Sequence, residues 1–124
     1  MIRRLLAVAC TAAALCAQAA EAPPYEKLRG QWVRPDGGYV ITVATVADDG
    51  KMTAMYNNPS PLTFSQAVAK RENGVLKAFF ELRAGGYGGS TYTLTYDPAT
   101  DRLAGVYYQA VAGQKFDVYF QRMQ

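Results

Sequence analysis

Between Gly30 and Gln124 the sequence runs as a ladder of about eight short segments in which apolar and polar residues alternate, separated at near-regular spacing by clusters of Gly, Asp, Asn and Pro. Alternation with a period of two buries one face of a strand, and turn-forming clusters between such runs send the chain back beside itself. The pattern therefore demands an antiparallel meander. An open meander leaves two bare edges that pair readily with other chains, and closure into a barrel removes both. Eight strands are enough to close around a filled interior. The expected fold is all-β: an eight-stranded antiparallel up-and-down (meander) β-barrel over residues 30–124.

The hairpins can be set in register from their turns. Asp36-Gly37 puts Trp32 opposite Ile41, and Asp97-Pro98-Ala99-Thr100-Asp101 puts Tyr96 opposite Leu103, Leu94 opposite Gly105 and Tyr92 opposite Tyr107. A two-residue turn at Asp49-Gly50 pairs Val43 with Tyr56 and Thr45 with Ala54. A three-residue turn at Glu72-Asn73-Gly74 pairs Val68 with Ala78, Gln66 with Phe80 and Phe64 with Leu82. A turn at Ala112-Gly113 pairs Gly105 with Phe120, Tyr107 with Val118 and Gln109 with Phe116. The inward set then runs from Trp32 and Ile41 through Tyr56, Phe64, Val68, Phe80, Tyr92 and Tyr107 to Phe116, Val118 and Phe120. The chain's one Trp, nine Tyr and five Phe all lie in this part or its lead-in, which is bulk enough for one core.

The first residues follow another logic. Met1-Ile2-Arg3-Arg4 is a basic start, Leu5 to Leu15 an apolar run and Ala17-Gln18-Ala19 a small-x-small cleavage pattern, so residues 1–19 read as a secretory signal peptide removed near Ala19. The run is too short to span a bilayer, and no other stretch offers a transmembrane segment. Cys10 and Cys16 both fall inside it. Neither Ala7-Val8-Ala9 before Cys10 nor Leu15 before Cys16 makes a lipid-attachment context, so a lipoprotein is not expected. Cleavage leaves 105 of the 124 residues, without cysteine, bound for the periplasm or secretion. Residues 20–29, with Pro23-Pro24, form an extended lead-in.

Export also removes two of the 13 basic residues and leaves 11 against 10 acidic ones, with no basic stripe for a nucleic-acid backbone. There is no histidine anywhere. His-based acid–base work, Ser-His and Cys-His nucleophiles and zinc sites of ordinary composition are all excluded, so no metal, no cofactor and no catalytic residue is assigned and the protein reads as a non-enzyme. Paired carboxylates remain as an unfavoured alternative. Asp36, Asp48, Asp49, Glu72, Asp97 and Asp101 sit in turns, where aspartate bonds its own backbone. Gly85-Gly86-Tyr87-Gly88-Gly89 lacks the Gly-Lys-Ser/Thr and the following helix of a phosphate loop, and reads as a hairpin connection.

Alternate connections of a meander share one end. One end gathers tight acidic turns at 48–51, 72–74 and 97–102; the other gathers 35–38, 57–61, 84–89 and 111–114, richer in Gly, Asn and Pro. The second is the expected mouth. Around it stand Arg34, Tyr39, Asn57, Tyr87, Ser90 and Gln109, with Tyr107 and Gln66 deeper, and of these Arg34, Tyr39, Asn57, Tyr87, Tyr107 and Gln109 are the ligand-binding candidates. An arginine beside several tyrosines suits a small molecule with an apolar or aromatic body and an anionic end.

Gly30-Gln31-Trp32 at the opening of the first strand resembles the Gly-x-Trp signature of lipocalins and avidins, the calycin type of barrel. The resemblance implies that a basic residue at the end of the last strand, here Arg122, packs over that tryptophan, which makes Gly30, Trp32 and Arg122 structural. The stretches Tyr56-Asn57-Asn58-Pro59-Ser60-Pro61 and Ser90 to Asp97 are similar to a group of small exported bacterial proteins with no assigned activity. The expectation is an exported binding protein whose partner is a small molecule or another exported protein. The alternative is an interaction module, loosely similar to periplasmic protease inhibitors on such barrels, whose amino-terminal segment enters the protease.

Overall fold

The computed structural model describes residues 22–83 and 88–123. A single 3-10 turn, Tyr25–Leu28, leads into eight strands: β1 Gly30–Arg34, β2 Tyr39–Val46, β3 Met52–Asn58, β4 Ser60–Glu72, β5 Val75–Leu82, β6 Thr91–Asp97, β7 Arg102–Gln109 and β8 Gln114–Arg122. Each strand pairs antiparallel with its sequence neighbour, and β1 closes on β8 through Trp32↔Arg122 and Val33↔Gln121. The fold is a closed up-and-down barrel. The lead-in is not extended throughout: Leu28 at the end of the 3-10 turn is buried beneath the barrel and shuts that end.

Two of the hairpins keep the register their turns dictate, with Trp32↔Ile41 in one and Tyr96↔Leu103, Leu94↔Gly105 and Tyr92↔Tyr107 in the other. Three differ. The β2–β3 connection is longer than Asp49-Gly50 alone, with the Ala47 N–H donating to the Lys51 carbonyl and the Gly50 N–H to the Ala47 carbonyl, and a bulge lies between Val43 and Thr45. Val43 therefore meets Ala54, and Tyr56 meets Ile41. In β4–β5 the turn is Asn73-Gly74 alone, both residues at positive φ (53° and 77°), the geometry a two-residue hairpin requires. That one-residue difference turns Val68 outward, 37% exposed, and Gln66 with it, and brings Ala69 into the core. A second bulge, between Phe64 and Gln66, restores Phe64↔Leu82. In β7–β8 the turn is two residues longer than Ala112-Gly113, giving Gly105↔Val118 and Tyr107↔Phe116. A shift of two preserves the faces, so Val118 and Phe120 stay buried, while Phe116 reaches the rim and is 46% exposed.

Among the described residues, the inward side chains pack closely on one another. Centroid separations of 4.6–5.9 Å link Phe80, Phe64, Tyr56, Tyr92, Tyr107 and Phe120 into one aromatic cluster, and Trp32 meets Tyr96 edge-on at 6.2 Å below it. Aliphatic side chains of Ile41, Leu76, Leu82, Leu94 and Leu103, each exposed by 1% or less, fill the remainder. The hollows that described residues line, of about 290 to 420 Å3, open on the outside of the molecule.

Candidate functional site

The two ends of the barrel are each stoppered by an arginine. At the end shut by the 3-10 turn, the Arg122 guanidinium lies 4.3 Å from the centre of the Trp32 ring system, as a cation–π contact. Its Nε and Nη2 donate to the two oxygens of Asp101 (2.7 and 3.1 Å), while Nη1 and Nη2 also donate to the carbonyls of Arg29 and Lys27 (2.6 and 2.7 Å). The Trp32 Nε1–H donates to the Leu28 carbonyl at 2.9 Å, and the Tyr96 hydroxyl donates to Asp101. Hydrogen bonding from Arg122 holds the Asp101 carboxyl below its usual range. Asp101, at φ 54°, is thus a member of this knot as well as a turn residue. Gly30 sits at φ 124°, where a side chain is strained, and a Cβ there would meet Arg122 Nη1 at 2.8 Å and push the guanidinium from its place.

At the opposite end, Arg34 follows the inward Trp32 by two positions on β1, so alternation aims it into the barrel. Its guanidinium stands 4.7 Å from the Tyr39 ring centre and 5.4 Å from that of Tyr107. Nη1 donates to the Tyr92 hydroxyl (2.9 Å), which shares a 2.8 Å hydrogen bond with the Tyr56 hydroxyl. Nε and Nη2 form a fork with both oxygens of Asp36, at 2.7 and 3.2 Å. The Arg34 side chain is only 12% exposed, whereas Asp36 is 61% exposed. Burial alone would lower the arginine's pKa, but the hydrogen bonds it donates to Asp36 and Tyr92 hold it above its ordinary value. Arg34 in turn lowers the Asp36 carboxyl. Burial raises both phenols, Tyr92 to about 12 and Tyr56 further in the same direction.

The other candidates are placed as follows. Tyr39 stacks on Tyr56 at 6.0 Å, and Tyr107 is buried against Tyr92 at 4.6 Å, so both form walls around Arg34. Asn57 follows the buried Tyr56 on β3, which puts it on the outer face, where it does not join them. Gln109 lies at the end of β7, and its Oε1 accepts the Ala112 N–H at 2.6 Å, so it braces the β7–β8 turn. Tyr87 lies outside the described residues. Gln66 is not deep in the mouth: its Nε2 donates to Glu81 on the outer wall at 3.1 Å. Nor is 57–61 a loose loop, because Asn58↔Ser60 and Asn57↔Pro61 are paired in the ladder.

No family model, curated protein or solved structure matches the chain. The site is read from its own geometry.

That geometry includes three residues the sequence did not single out. Tyr56 and Tyr92 were legible as core, but a hydroxyl pair formed across the barrel by residues 36 positions apart leaves no local signal. Asp36 reads as a turn residue, yet the two-residue spacing Arg34-Pro35-Asp36 at a strand end is the trace of its fork. Among the described residues no three His, Cys, Asp or Glu side chains gather as metal ligands would.

Proposed function

We propose that this chain is an exported, non-enzymatic binding protein of the lipocalin- or avidin-like barrel type, freed of residues 1–19 on export. It holds an anionic group with an aromatic or apolar body on Arg34, at the rim of the barrel rather than inside it. The observation that carries this reading is the asymmetry of the Arg34 contacts. Inward, the guanidinium is fixed by Tyr92 and flanked by Tyr39 and Tyr107; outward, its fork is met by a single exposed carboxylate from the adjoining turn. Asp36 stands where a ligand carboxylate would stand. A planar fork already oriented by packing loses little freedom on exchanging one carboxylate for another.

The close packing of Phe64, Tyr56, Tyr92, Tyr107 and Phe120 inside the wall favours a ligand held at the rim over one enclosed in the interior, since enclosed ligand pockets run to several hundred cubic ångströms. The alternative in which the lead-in enters a partner is weakened for residues 25–29, which Leu28 burial and the Arg122 bonds to two carbonyls tie to the barrel. The test uses benzoate and phenylacetate as probes, followed by amide chemical shifts. Asp36→Asn should tighten binding by about tenfold, because the competing carboxylate is gone, and Arg34→Met should abolish it. If Asp36→Asn leaves affinity unchanged while Arg34→Met keeps its fold, the proposal fails.

A further inference from the structure

The barrel wall is interrupted between β3 and β4. Their ladder runs from Asn58↔Ser60 to Met55↔Thr63 and stops, and the strands meet again only at the bridge Lys51↔Val68, beside a 2.7 Å bond from the Ala69 N–H to the Gly50 carbonyl. Between these points residues 52–54 face residues 64–67, three against four. One surplus residue is a bulge, and β4 has its register to β5 shifted at the same level, between Phe64 and Gln66. The result is a slit of about 360 Å3, where the core-facing Ala54, Phe64 and Ala67, only partly buried, are reached from outside.

Across Val68 the slit adjoins a second hollow of about 330 Å3, floored by Val68, Phe79 and Thr93 and edged by Lys70 and Lys77. The two share Gln66 and Val68, so together they make a strip along β4. Lys70 and Lys77 are directly paired across the strands, an unfavourable arrangement that one carboxylate, Glu72, relieves at 3.5 and 3.0 Å. With Lys51 at the slit, the lining of the strip holds three lysines and no carboxylate, Glu72 standing beside the lysine pair and Glu81 beside Gln66.

We infer that this strip docks an extended segment of a partner protein in which apolar side chains are followed by acidic ones. Its elongated form suits a chain. Side chains two positions apart on an extended segment are about 7 Å apart, so one fills the slit against Phe64 while the next lies on Val68 and Phe79. The acidic residues beyond them meet Lys70 and Lys77. Charge selects this occupant. Residues 1–21 bring Arg3 and Arg4 against the single Glu21. A second copy would offer Tyr119, which carries the Arg102 guanidinium over its ring at 4.5 Å and shares its face of β8 with Asp117, a broad strand face rather than a free extended segment, and self-association is the outcome that separates the two.

The test titrates the protein with an acetylated Leu-Ser-Phe-Asp-Asp amide and with its Leu-Ser-Phe-Lys-Lys counterpart, reading amide shifts. The acidic peptide should give saturable shifts confined to residues 51–54, 64–70 and 77–79, with Kd at or below about 1 mM, the weak end of specific recognition. Val68→Glu on the outer wall, and separately Lys70→Glu with Lys77→Glu, should each weaken it at least about tenfold while shifts elsewhere stay native. The inference is overturned by the absence of saturation, by shifts at the Arg34 end instead, by equal binding of the lysine peptide, or by self-association of the protein through the same residues.

Discussion

Replacing Arg122 by alanine should release the 3-10 turn from the barrel and uncover one face of Trp32. The guanidinium makes a fork to Asp101, two charged hydrogen bonds to the carbonyls of Lys27 and Arg29, and the contact over the indole. Asp101 is 45% exposed, so solvent screens the fork and it contributes well under 1 kcal/mol or so. The two carbonyl bonds contribute roughly 1 kcal/mol each after the same discount, and the indole contact about another 1 kcal/mol. The expected loss is about 3 kcal/mol, equivalent to a fall in Tm of roughly 12 °C or more for a domain of this size. Urea unfolding followed by fluorescence of Trp32, the single tryptophan, reads both stability and exposure, and the native emission should shift to the red. Arg122→Lys should recover less than half, because one ammonium cannot serve a fork, two carbonyls and a ring face together. A loss within about 0.5 kcal/mol for the alanine variant, the range of an ordinary surface change, would refute the reasoning. So would a lysine variant equal to the natural protein.

Two further outcomes follow from the buried interior. Tyr92 is pushed up to about 12, chiefly by burial, so the folded chain keeps a proton that the unfolded chain releases from pH 10 upward; stability should fall as pH rises from 10 to 12, by about 3 kcal/mol for this residue alone. Tyrosinate absorbance should show the Tyr56–Tyr92 pair ionising only together with unfolding, and a normal titration of all nine tyrosines in the folded state would count against the placement. Gly105→Ala should cost roughly 2–3 kcal/mol in the same urea assay, because the new methyl would land on the Thr93 carbonyl and 3.0 Å from the Leu94 Cα, both backbone atoms that cannot swing aside; a variant as stable as the parent would mean that β6 and β7 lie farther apart than described.

Strand number and meander order were legible because alternation and turn chemistry agreed along most of the chain. Register was legible where a turn locks itself: Asp97 accepts from the Ala99 N–H and the Thr100 hydroxyl, which fixes the length of that connection. It was illegible where small residues blur the alternation. In Ser65-Gln66-Ala67-Val68-Ala69 either face looks equally apolar, so only the turn decides, and Asn73-Gly74 differs from Glu72-Asn73-Gly74 by the one residue that exchanges Val68 for Ala69. At the rim, Arg34, Tyr39 and Tyr107 could be gathered from alternation alone. The Tyr56–Tyr92 hydroxyl pair and the Arg34–Asp36 fork could not, because they depend on side-chain reach across the closed barrel, which no pattern along the chain encodes.

The seam between β1 and β8 is narrow: two paired positions and the Met123 N–H bond to the Gln31 carbonyl at 2.9 Å. The other seven pairings join neighbours and can zip as local hairpins, whereas the seam and the Arg122 bond to Arg29 join residues up to 93 positions apart. The seam is therefore the contact with the largest loop to close, although that entropic cost rises only slowly with chain length. A sheet without that seam would leave Trp32 uncovered and two edges bare, free to pair with other chains. The Arg122 knot is then a latch as well as a plug: its several bonds, made to Asp101, Lys27 and Arg29 at once, hold the narrow seam shut.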